Sequence, residues 1–165
     1  MNKNRHFIFT GVGAFVIFLL LDQLTKYLAE HFLAESPGIK LIPGVFQLYY
    51  VQNTGAAFGI MNGRQWFMVM ISAIILAFCI YVYYCIPDAS SYKLLRWICL
   101  LIGAGAVGNS IDRIWHHYVI DFLYFSLIDF PVFNLADCYV VIGVILFMIA
   151  LFTVYKDENF AFLKP

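Results

Sequence analysis

The chain alternates between four long apolar runs and shorter stretches rich in polar residues and turn signals. The runs cover about residues 7–28, 66–86, 94–115 and 134–155. Each is close to the ~20 mostly apolar residues that a helix needs to cross the hydrocarbon core of a bilayer. The pattern therefore predicts an all-α membrane protein with four transmembrane helices, forming a single membrane domain over residues 1–165.

Two longer segments separate these runs, at about residues 29–65 and 116–133. The first contains the turn signals ESPG and IPG, followed by VFQLYYVQN, which is rich in β-forming residues and partly alternates. We expect a short strand or hairpin there. In the second segment DFP indicates a turn. The remaining loop, IPDASSYK, is short and polar and is expected to act only as a connector.

The composition agrees with a bilayer environment. Hydrophobic residues make up 63% of the chain and charged residues 12%, whereas soluble domains are about half apolar and about a quarter charged. The formal net charge is zero, which argues against nucleic acid as the main partner. The four cysteines form no CxxC pattern and lie inside apolar segments, so we expect buried thiols.

The basic residues predict the orientation in the membrane. An even number of spans puts both termini on one side, and six basic residues fall on that side against four on the other. The six are Lys3, Arg5, Lys93, Arg96, Lys156 and Lys164, and the four are Lys26, Lys40, Arg64 and Arg113. Basic loops stay in the cytoplasm, so both termini are expected there. The stretch LLLDQLTKY offers no small-residue cleavage site, which predicts a retained first helix.

Polar residues gather at the non-cytoplasmic end of the first span. In DQLTK, Asp22, Thr25 and Lys26 share one helical face, because residues three and four apart are neighbours on a helix. An Asp–Lys pair inside a membrane neutralises itself. The motif therefore predicts a neutral clamp between helix ends rather than a catalytic pair.

The third span ends in GAGAVGNSIDR, where Gly105, Asn109, Asp112 and Arg113 share a face by the same spacing. Its glycines predict close approach of neighbouring helices, as small residues allow in membranes. Asp112 and Arg113 could neutralise each other. Alternatively, Arg113 could present its guanidinium to a carbonyl group or an anion, and the spacing does not decide between the two.

Two further motifs flank the remaining spans. In QNTGAAFG, at residues 52–59, Asn53 offers both a donor and an acceptor and Gly55 permits close backbone approach. This loop is either a turn or a binding site for an extended peptide. FNLAD opens the fourth span, with Asn134 as a candidate helix cap and Asp137 three residues later, on the same side of the helix.

Acids without nearby cations are the most unusual feature of the chain. Between Arg113 and Lys156 there is no Lys or Arg, yet Asp121, Asp129 and Asp137 lie among apolar residues. Acids within a membrane are costly and mark a functional site. Two carboxyl groups brought together share a proton, so one can activate a water while the other protonates a carbonyl.

The spacing does not decide which two acids pair. Asp129, in the DFP turn, is expected to be a solvated loop residue. His116 and His117 could join two aspartates at a metal, but adjacent side chains on a helix point in different directions, so we expect interfacial residues instead. The alternatives to a hydrolase are a proton- or ion-coupled transport protein and a non-enzymatic membrane scaffold. Transport requires polar residues through the membrane depth, and the middles of the second and fourth spans are almost wholly apolar.

Five motifs together resemble the family of lipoprotein signal peptidase, or signal peptidase II. They are DQLTK at 22–26, NTGAAFG at 53–59, GAVGNSIDR at 105–113, VIDF at 119–122 and FNLAD at 133–137. The resemblance implies a bacterial inner-membrane aspartic endopeptidase with its active site at the extracytoplasmic face. Such enzymes cut prolipoproteins before a cysteine that carries diacylglycerol, with no metal or other cofactor.

The resemblance also implies roles for individual residues. The catalytic pair would be Asp121 and Asp137, which sets Asp129 aside. The substrate-binding or site-shaping residues would be Asp22, Lys26, Asn53, Gly55, Gly105, Asn109, Asp112, Arg113 and Asn134. Residues 29–65 resemble a small extracytoplasmic β-cradle, and the stretch before the fourth span resembles a periplasmic amphipathic helix. The expected partners are prolipoproteins, membrane lipids and cyclic peptide inhibitors of the globomycin type, bound by a monomer.

Overall fold

Four long helices account for most of the structure, a computed structural model that describes residues 3–55, 64–156, 159–160 and 162. The helices are α1 (Lys3–Leu33), α2 (Gln65–Cys85), α3 (Lys93–Trp115) and α4 (Leu135–Thr153). All four are long and apolar enough to cross a membrane. The prediction of four spans is confirmed, and the only sizeable difference is that α1 extends beyond the predicted 7–28 at both ends.

Helix α3 lies at the centre of the bundle and packs against each of the other three helices. In its most apolar stretch 50% of the residues are buried inside the protein, compared with 22% or less in the corresponding stretches of the other spans. Small residues permit this position. A Cβ atom at Gly105 would collide with the carbonyl oxygen of Ala136 in α4, and one at Gly108 would collide with the Asp22 carboxylate in α1. The predicted close approach at these glycines is therefore confirmed.

A small antiparallel sheet covers one end of the bundle. Its strands are β1 (Ile39–Ile42), β2 (Phe46–Asn53) and β3 (Val119–Tyr124), in the order β1-β2-β3. The strands β1 and β2 form the hairpin that the sequence predicted, with Gly44 at a φ of +74° in the turn. Between β2 and β3, Val51 pairs with Asp121 and Asn53 pairs with Val119. This register places two polar motifs side by side.

The expectation of an amphipathic helix within residues 116–133 is wrong. This segment contains β3 followed by turns. The physical reason is that neighbouring side chains of a strand point to opposite faces, and both faces of β3 are covered. Val119 and Asp121 line a cavity, while Ile120 and Phe122 pack in one apolar cluster with Ala29 and Leu33 of α1. A strand buries all four side chains in this way.

Candidate active site

A cavity of about 700 Å³ lies where α3, the end of β2, β3 and the start of α4 meet. Both Asp121 and Asp137 line it, together with Asn53, Asn109 and Arg113. The rest of its wall is mostly apolar, formed by Val51, Val119, Phe125, Phe130, Pro131, Val132, Phe133, Cys138, Val141 and Ile142. Of the three candidate acids, the structure thus brings two into one space.

Asp121 is buried on β3 and receives two amide hydrogen bonds. The side-chain nitrogen of Asn53 donates to Oδ2 over 2.8 Å, and that of Asn134 donates to Oδ1 over 2.7 Å. Burial and, to a smaller extent, the charge of Asp137 raise the pKa of Asp121 to about 7, and the two amide hydrogen bonds and the charge of Lys26 only partly oppose this rise. A carboxyl group with such a pKa can hold a proton near neutral pH.

Asp137 lies in the first turn of α4, where it forms a capping box with Asn134. The backbone nitrogen of Asn134 donates to Oδ2 of Asp137 over 3.1 Å, and the backbone nitrogen of Asp137 donates to Oδ1 of Asn134 over 3.0 Å. Asn109 donates to the other oxygen, Oδ1, over 2.7 Å. Asn134 is therefore the cap that its position predicted, and Asp137 also has a capping role that the sequence did not indicate.

Asn109 and Asn134 connect the two carboxyl groups. The side-chain nitrogen of Asn134 donates both to Asp121 and, over 3.0 Å, to Oδ1 of Asn109. That same oxygen of Asn109 accepts a hydrogen bond from Lys26 over 3.0 Å. Because each amide offers donors and an acceptor, the two asparagines fix the geometry of both acids without adding charge.

Lys26 lies buried between two aspartates. Its ammonium group is 2.9 Å from Asp22 and 3.1 Å from Asp112. The predicted Asp22–Lys26 clamp is therefore present, but Asp112 pairs with Lys26 rather than with Arg113. Both aspartates also accept other hydrogen bonds. Asp22 accepts from the backbone nitrogen of Ala136 over 2.9 Å, and the side chain of Gln23 donates to both aspartates over 3.1 Å each.

Gln23 is the residue of this network that sequence reasoning missed. It also donates to the carbonyl group of Gly108 over 3.3 Å, so it joins α1 to α3. The available signal was an uncharged amide within an apolar span, directly beside Asp22. Amides in membrane helices commonly bond to a neighbouring helix.

Arg113 lines the cavity and is half-buried. One of its terminal nitrogens donates to the carbonyl oxygen of Asn109 over 3.3 Å. Its Nε is buried and has no hydrogen-bond partner among the described residues. Since Asp112 is paired elsewhere, this geometry favours the second of the two alternatives, an arginine presented to a carbonyl group or an anion.

Gly55 also reaches the cavity, at the end of β2. Its backbone nitrogen donates to Oδ1 of Asn53 over 3.0 Å, which turns the chain directly after the strand. Gln65 of α2 donates to the carbonyl oxygen of Thr54 and so ties this turn to the bundle. Residues 56–59 of the predicted peptide-binding loop lie outside the described part of the chain.

The remaining polar candidates lie away from the cavity. Asp129 is exposed in a turn with a φ of +48°, where it accepts a hydrogen bond from the hydroxyl group of Tyr124. His116 and His117 are both exposed. Across residues 3–55, 64–156, 159–160 and 162, no three His, Cys, Asp or Glu side chains come together in a way that could hold a metal ion.

Comparisons with known proteins extend over nearly the whole chain. The family model of signal peptidase (SPase) II, Peptidase_A8, matches residues 14–153. Lipoprotein signal peptidases of Streptococcus pyogenes serotype M1 and of serotype M5 (strain Manfredo) are each 37% identical over 158 residues, covering 96% of this chain and 98% of the relative.

Two solved structures, both described as bacterial membrane enzymes, share the fold. One has a TM-score of 0.80 at 34% identity, and the match covers 91% of this chain and 93% of the chain in that structure. The other has a TM-score of 0.77 at 35% identity and covers 90% and 96%. Both likenesses thus extend over about nine-tenths of this chain.

Proposed function

Because the chain belongs to the signal peptidase II family, a family of lipoprotein-processing membrane proteases, we propose that it removes the signal peptide from prolipoproteins with Asp121 and Asp137 as its catalytic pair. The observation that carries this proposal is the shared cavity of two carboxyl groups held by amides. Lys26, which donates to Asn109 in the same network, is already paired with Asp22 and Asp112.

The proposed reaction begins with one proton on the pair. Asp121 holds it, because burial and the charge of Asp137 raise its pKa to about 7. Asp137, ionised, takes a proton from a water as the water oxygen attacks the scissile carbonyl carbon. Asp121 gives its proton to the carbonyl oxygen, and a tetrahedral diol forms. This is general acid–base catalysis by two carboxyl groups in different environments.

The second half of the reaction restores the pair. The carbon–nitrogen bond breaks, and the proton on Asp137 passes to the leaving nitrogen. A diol hydroxyl group returns its proton to Asp121 as the carboxylic acid forms. The products are the signal peptide with a free carboxyl group and a lipoprotein with a free amino group on its first cysteine. Neither a covalent intermediate nor a cofactor takes part.

Neighbouring residues supply positioning. Arg113, with its unpartnered Nε, is placed to bind a carbonyl group of the extended peptide, and Asn53 and Asn134 hold Asp121 against it. The apolar wall of the cavity includes Val141 and Ile142, which are also about half exposed on the outer face of α4. A diacylglyceryl group can therefore pass between cavity and bilayer, and the lipid restricts the scissile bond to this depth.

The same proposal includes the cellular setting. The protein would lie in the bacterial cytoplasmic membrane as a monomer, with both termini in the cytoplasm and the cavity at the outer face. Cyclic peptides of the globomycin type would compete for the cavity. The transport alternative is not favoured, because the chain belongs to a protease family and the buried aspartate and lysine side chains of the described residues cluster at one end of the bundle.

Cleavage of a defined prolipoprotein tests the substrate assignment. Purified protein in detergent receives the same prolipoprotein with and without the diacylglyceryl group, and mass spectrometry identifies the products. We expect one cut, directly before the modified cysteine, and little cleavage of the unmodified form. Equal cleavage of both forms, or a cut elsewhere, would contradict the proposed dependence on the lipid.

A further inference from the structure

A second groove crosses the bundle at the end opposite the aspartates. Helices α1 and α2 both pack on α3 but hardly contact each other. They approach closely where Gly11 of α1 meets Tyr83 of α2, whose hydroxyl group donates to the carbonyl oxygen of Phe7 over 2.8 Å. Between them lies a groove of about 480 Å³, whose floor on α3 includes Leu100 and Gly103. Its wall is almost wholly apolar.

The mouth of this groove is basic. A smaller cavity of about 210 Å³ shares Gly11, Tyr83 and Leu100 with the groove and adds Lys93 and Arg96. No acid is among the described residues that line this mouth. Asp88 lines a neighbouring pocket that shares Arg96 with this mouth and also borders the groove, but no ion pair joins Asp88 to Arg96. A negatively charged group would therefore meet two cations at this point.

Arg96 is held in place by contacts that leave its charge unneutralised. Its terminal nitrogen donates to the carbonyl oxygens of Ile86 and Pro87 over 3.0 and 3.3 Å. Its guanidinium carbon lies 4.6 Å from the ring centre of Phe7 and 5.4 Å from that of Tyr83. Among the described side chains, no carboxylate forms an ion pair with Arg96, since both ion pairs there involve Lys26. Arg96 is thus an oriented cation at the membrane boundary.

The dimensions of the groove match one leaflet of a bilayer. Lys93, at the mouth, and Val107, at the other end of the groove, are fourteen helical residues apart on α3, which is a rise of about 21 Å. A bilayer is ~40–45 Å thick with its headgroup regions, so one leaflet takes up about half of that. The groove therefore runs from the headgroup region to about the middle of the membrane. A helix, ~10–12 Å wide with its side chains, does not fit where Gly11 and Tyr83 close the gap, whereas an acyl chain would pass over Leu100, which lines both the mouth and the groove.

We propose that this groove binds a phospholipid with a negatively charged headgroup, with its phosphate at Lys93 and Arg96 and one acyl chain between α1 and α2. The charge of the mouth, the apolar body and the one-leaflet length all fit this ligand. The site is separate from the aspartate cavity, so the proposal does not depend on the proposed reaction.

Trp97 provides a direct measurement, because it lines the mouth and is about half exposed. The other two tryptophans are far from the mouth. Trp66 lies at the start of α2 and Trp115 at the end of α3, both at the end of the bundle that carries the aspartates. A variant with Trp66→Phe and Trp115→Phe reports on Trp97 alone. It is reconstituted in phosphatidylcholine nanodiscs that contain equal mole fractions of either brominated phosphatidylglycerol or brominated phosphatidylcholine, and the quenching is compared.

We expect the brominated anionic lipid to quench Trp97 with an apparent affinity at least about fivefold higher, since each of the two basic residues near the membrane surface contributes about this factor. Lys93→Gln and Arg96→Gln should each reduce the preference. Lys93 is exposed, so its variant tests the site even if Arg96→Gln fails to fold. Lys156→Gln, a matched loss of charge after α4, should leave the preference unchanged.

Two outcomes would overturn the proposal. Equal quenching by the two brominated lipids would mean that the groove holds ordinary bilayer lipid without selection. An equal effect of Lys156→Gln and Lys93→Gln would mean that the preference comes from the general positive charge of this face rather than from a site.

Discussion

At Asp121 a buried carboxyl group faces a second carboxyl group while two amides donate hydrogen bonds to it. The amides favour the charged form, whereas burial and Asp137 favour the neutral form, and the neutral form gains more. A single residue thus combines the features of a general acid at neutral pH. Asp129, 8 positions later in the chain, is exposed and has neither feature.

The raised pKa of Asp121 predicts a particular dependence of stability on pH. In the unfolded chain its pKa is near 3.8, and in the folded protein it is about 7. The folded state therefore binds the proton more tightly. Protonated Asp121 therefore stabilises the folded protein. This stabilisation is fully present below the pKa that Asp121 has in the unfolded chain, and it is lost as the pH rises through the pKa that Asp121 has in the folded protein. The loss is on the order of 2–4 kcal/mol.

Thermal unfolding in detergent between about pH 4 and pH 8 measures this effect. We expect the wild type to lose stability over this range and Asp121→Asn to show a clearly flatter profile. Asp129→Asn is the matched control and should follow the wild type, since Asp129 is exposed. Parallel profiles of the wild type and Asp121→Asn would mean that Asp121 has an ordinary pKa.

Helices α1, α3 and α4 are joined next to the aspartate cavity by a buried charge network. Lys26 and Asp22 come from α1, Asp112 comes from α3, and Asp22 accepts from the start of α4 at Ala136. Removing the only cation from this group leaves two buried carboxylates without a positive charge beside them. Such a change costs about 3–5 kcal/mol.

Lys26→Met tests the network, because methionine keeps most of the side-chain volume. We expect the free energy of unfolding in detergent to fall by about 3–5 kcal/mol. Lys40→Met, on the exposed strand β1, is the control and should have little effect. If Lys26→Met is as stable as Lys40→Met, the network does not hold the helices together.

The contact between α3 and α4 sets the position of Asp137 relative to Asn109. At Gly105 an added Cβ would collide with the backbone oxygen of Ala136 and lie 2.6 Å from Val140. The backbone of α4 cannot yield locally, so the helix must move away from α3. We expect Gly105→Ala to destabilise the protein by about 1–3 kcal/mol and to reduce cleavage more than its stability alone explains.

Gly13→Ala is the control for this experiment, since a Cβ atom there meets nothing within 4 Å. Cleavage rates and unfolding are compared for both variants at a temperature where both stay folded. Unchanged cleavage by folded Gly105→Ala would mean that the α3–α4 spacing does not govern the site.

At the scale of the whole molecule, the sequence was a good guide to the spans and a poorer guide to the sheet. The spans follow from apolar length alone, so their number and approximate bounds were predictable. The strand β3 was not, because its four buried residues, VIDF, do not alternate between apolar and polar positions, and both faces are buried only because α1 and the cavity cover them. Likewise, Asp112 could not be assigned to Lys26, 86 positions away, from local spacing.

The choice of Asp121 and Asp137 also depended on more than the residues themselves. Asp121 reaches the cavity through the β2–β3 register, which sets Asn53 beside it from 68 positions away. No local pattern contains that register, and here the family motifs supplied the choice. The packing also sharpens the orientation argument. Lys26 is buried and Arg113 is half-buried, so Lys40 and Arg64 remain as the exposed basic residues on the side of the aspartate cavity.

Cleavage by aspartate variants tests the central claim most directly. Purified wild type, Asp121→Asn, Asp137→Asn and Asp129→Asn are given a diacylglyceryl-modified prolipoprotein in detergent with EDTA present, after thermal unfolding has verified that each is folded. We predict that the wild type and Asp129→Asn cleave, while each of the other two loses at least about 10²–10⁴-fold in rate. Substantial cleavage by folded Asp121→Asn or Asp137→Asn would contradict the proposed pair.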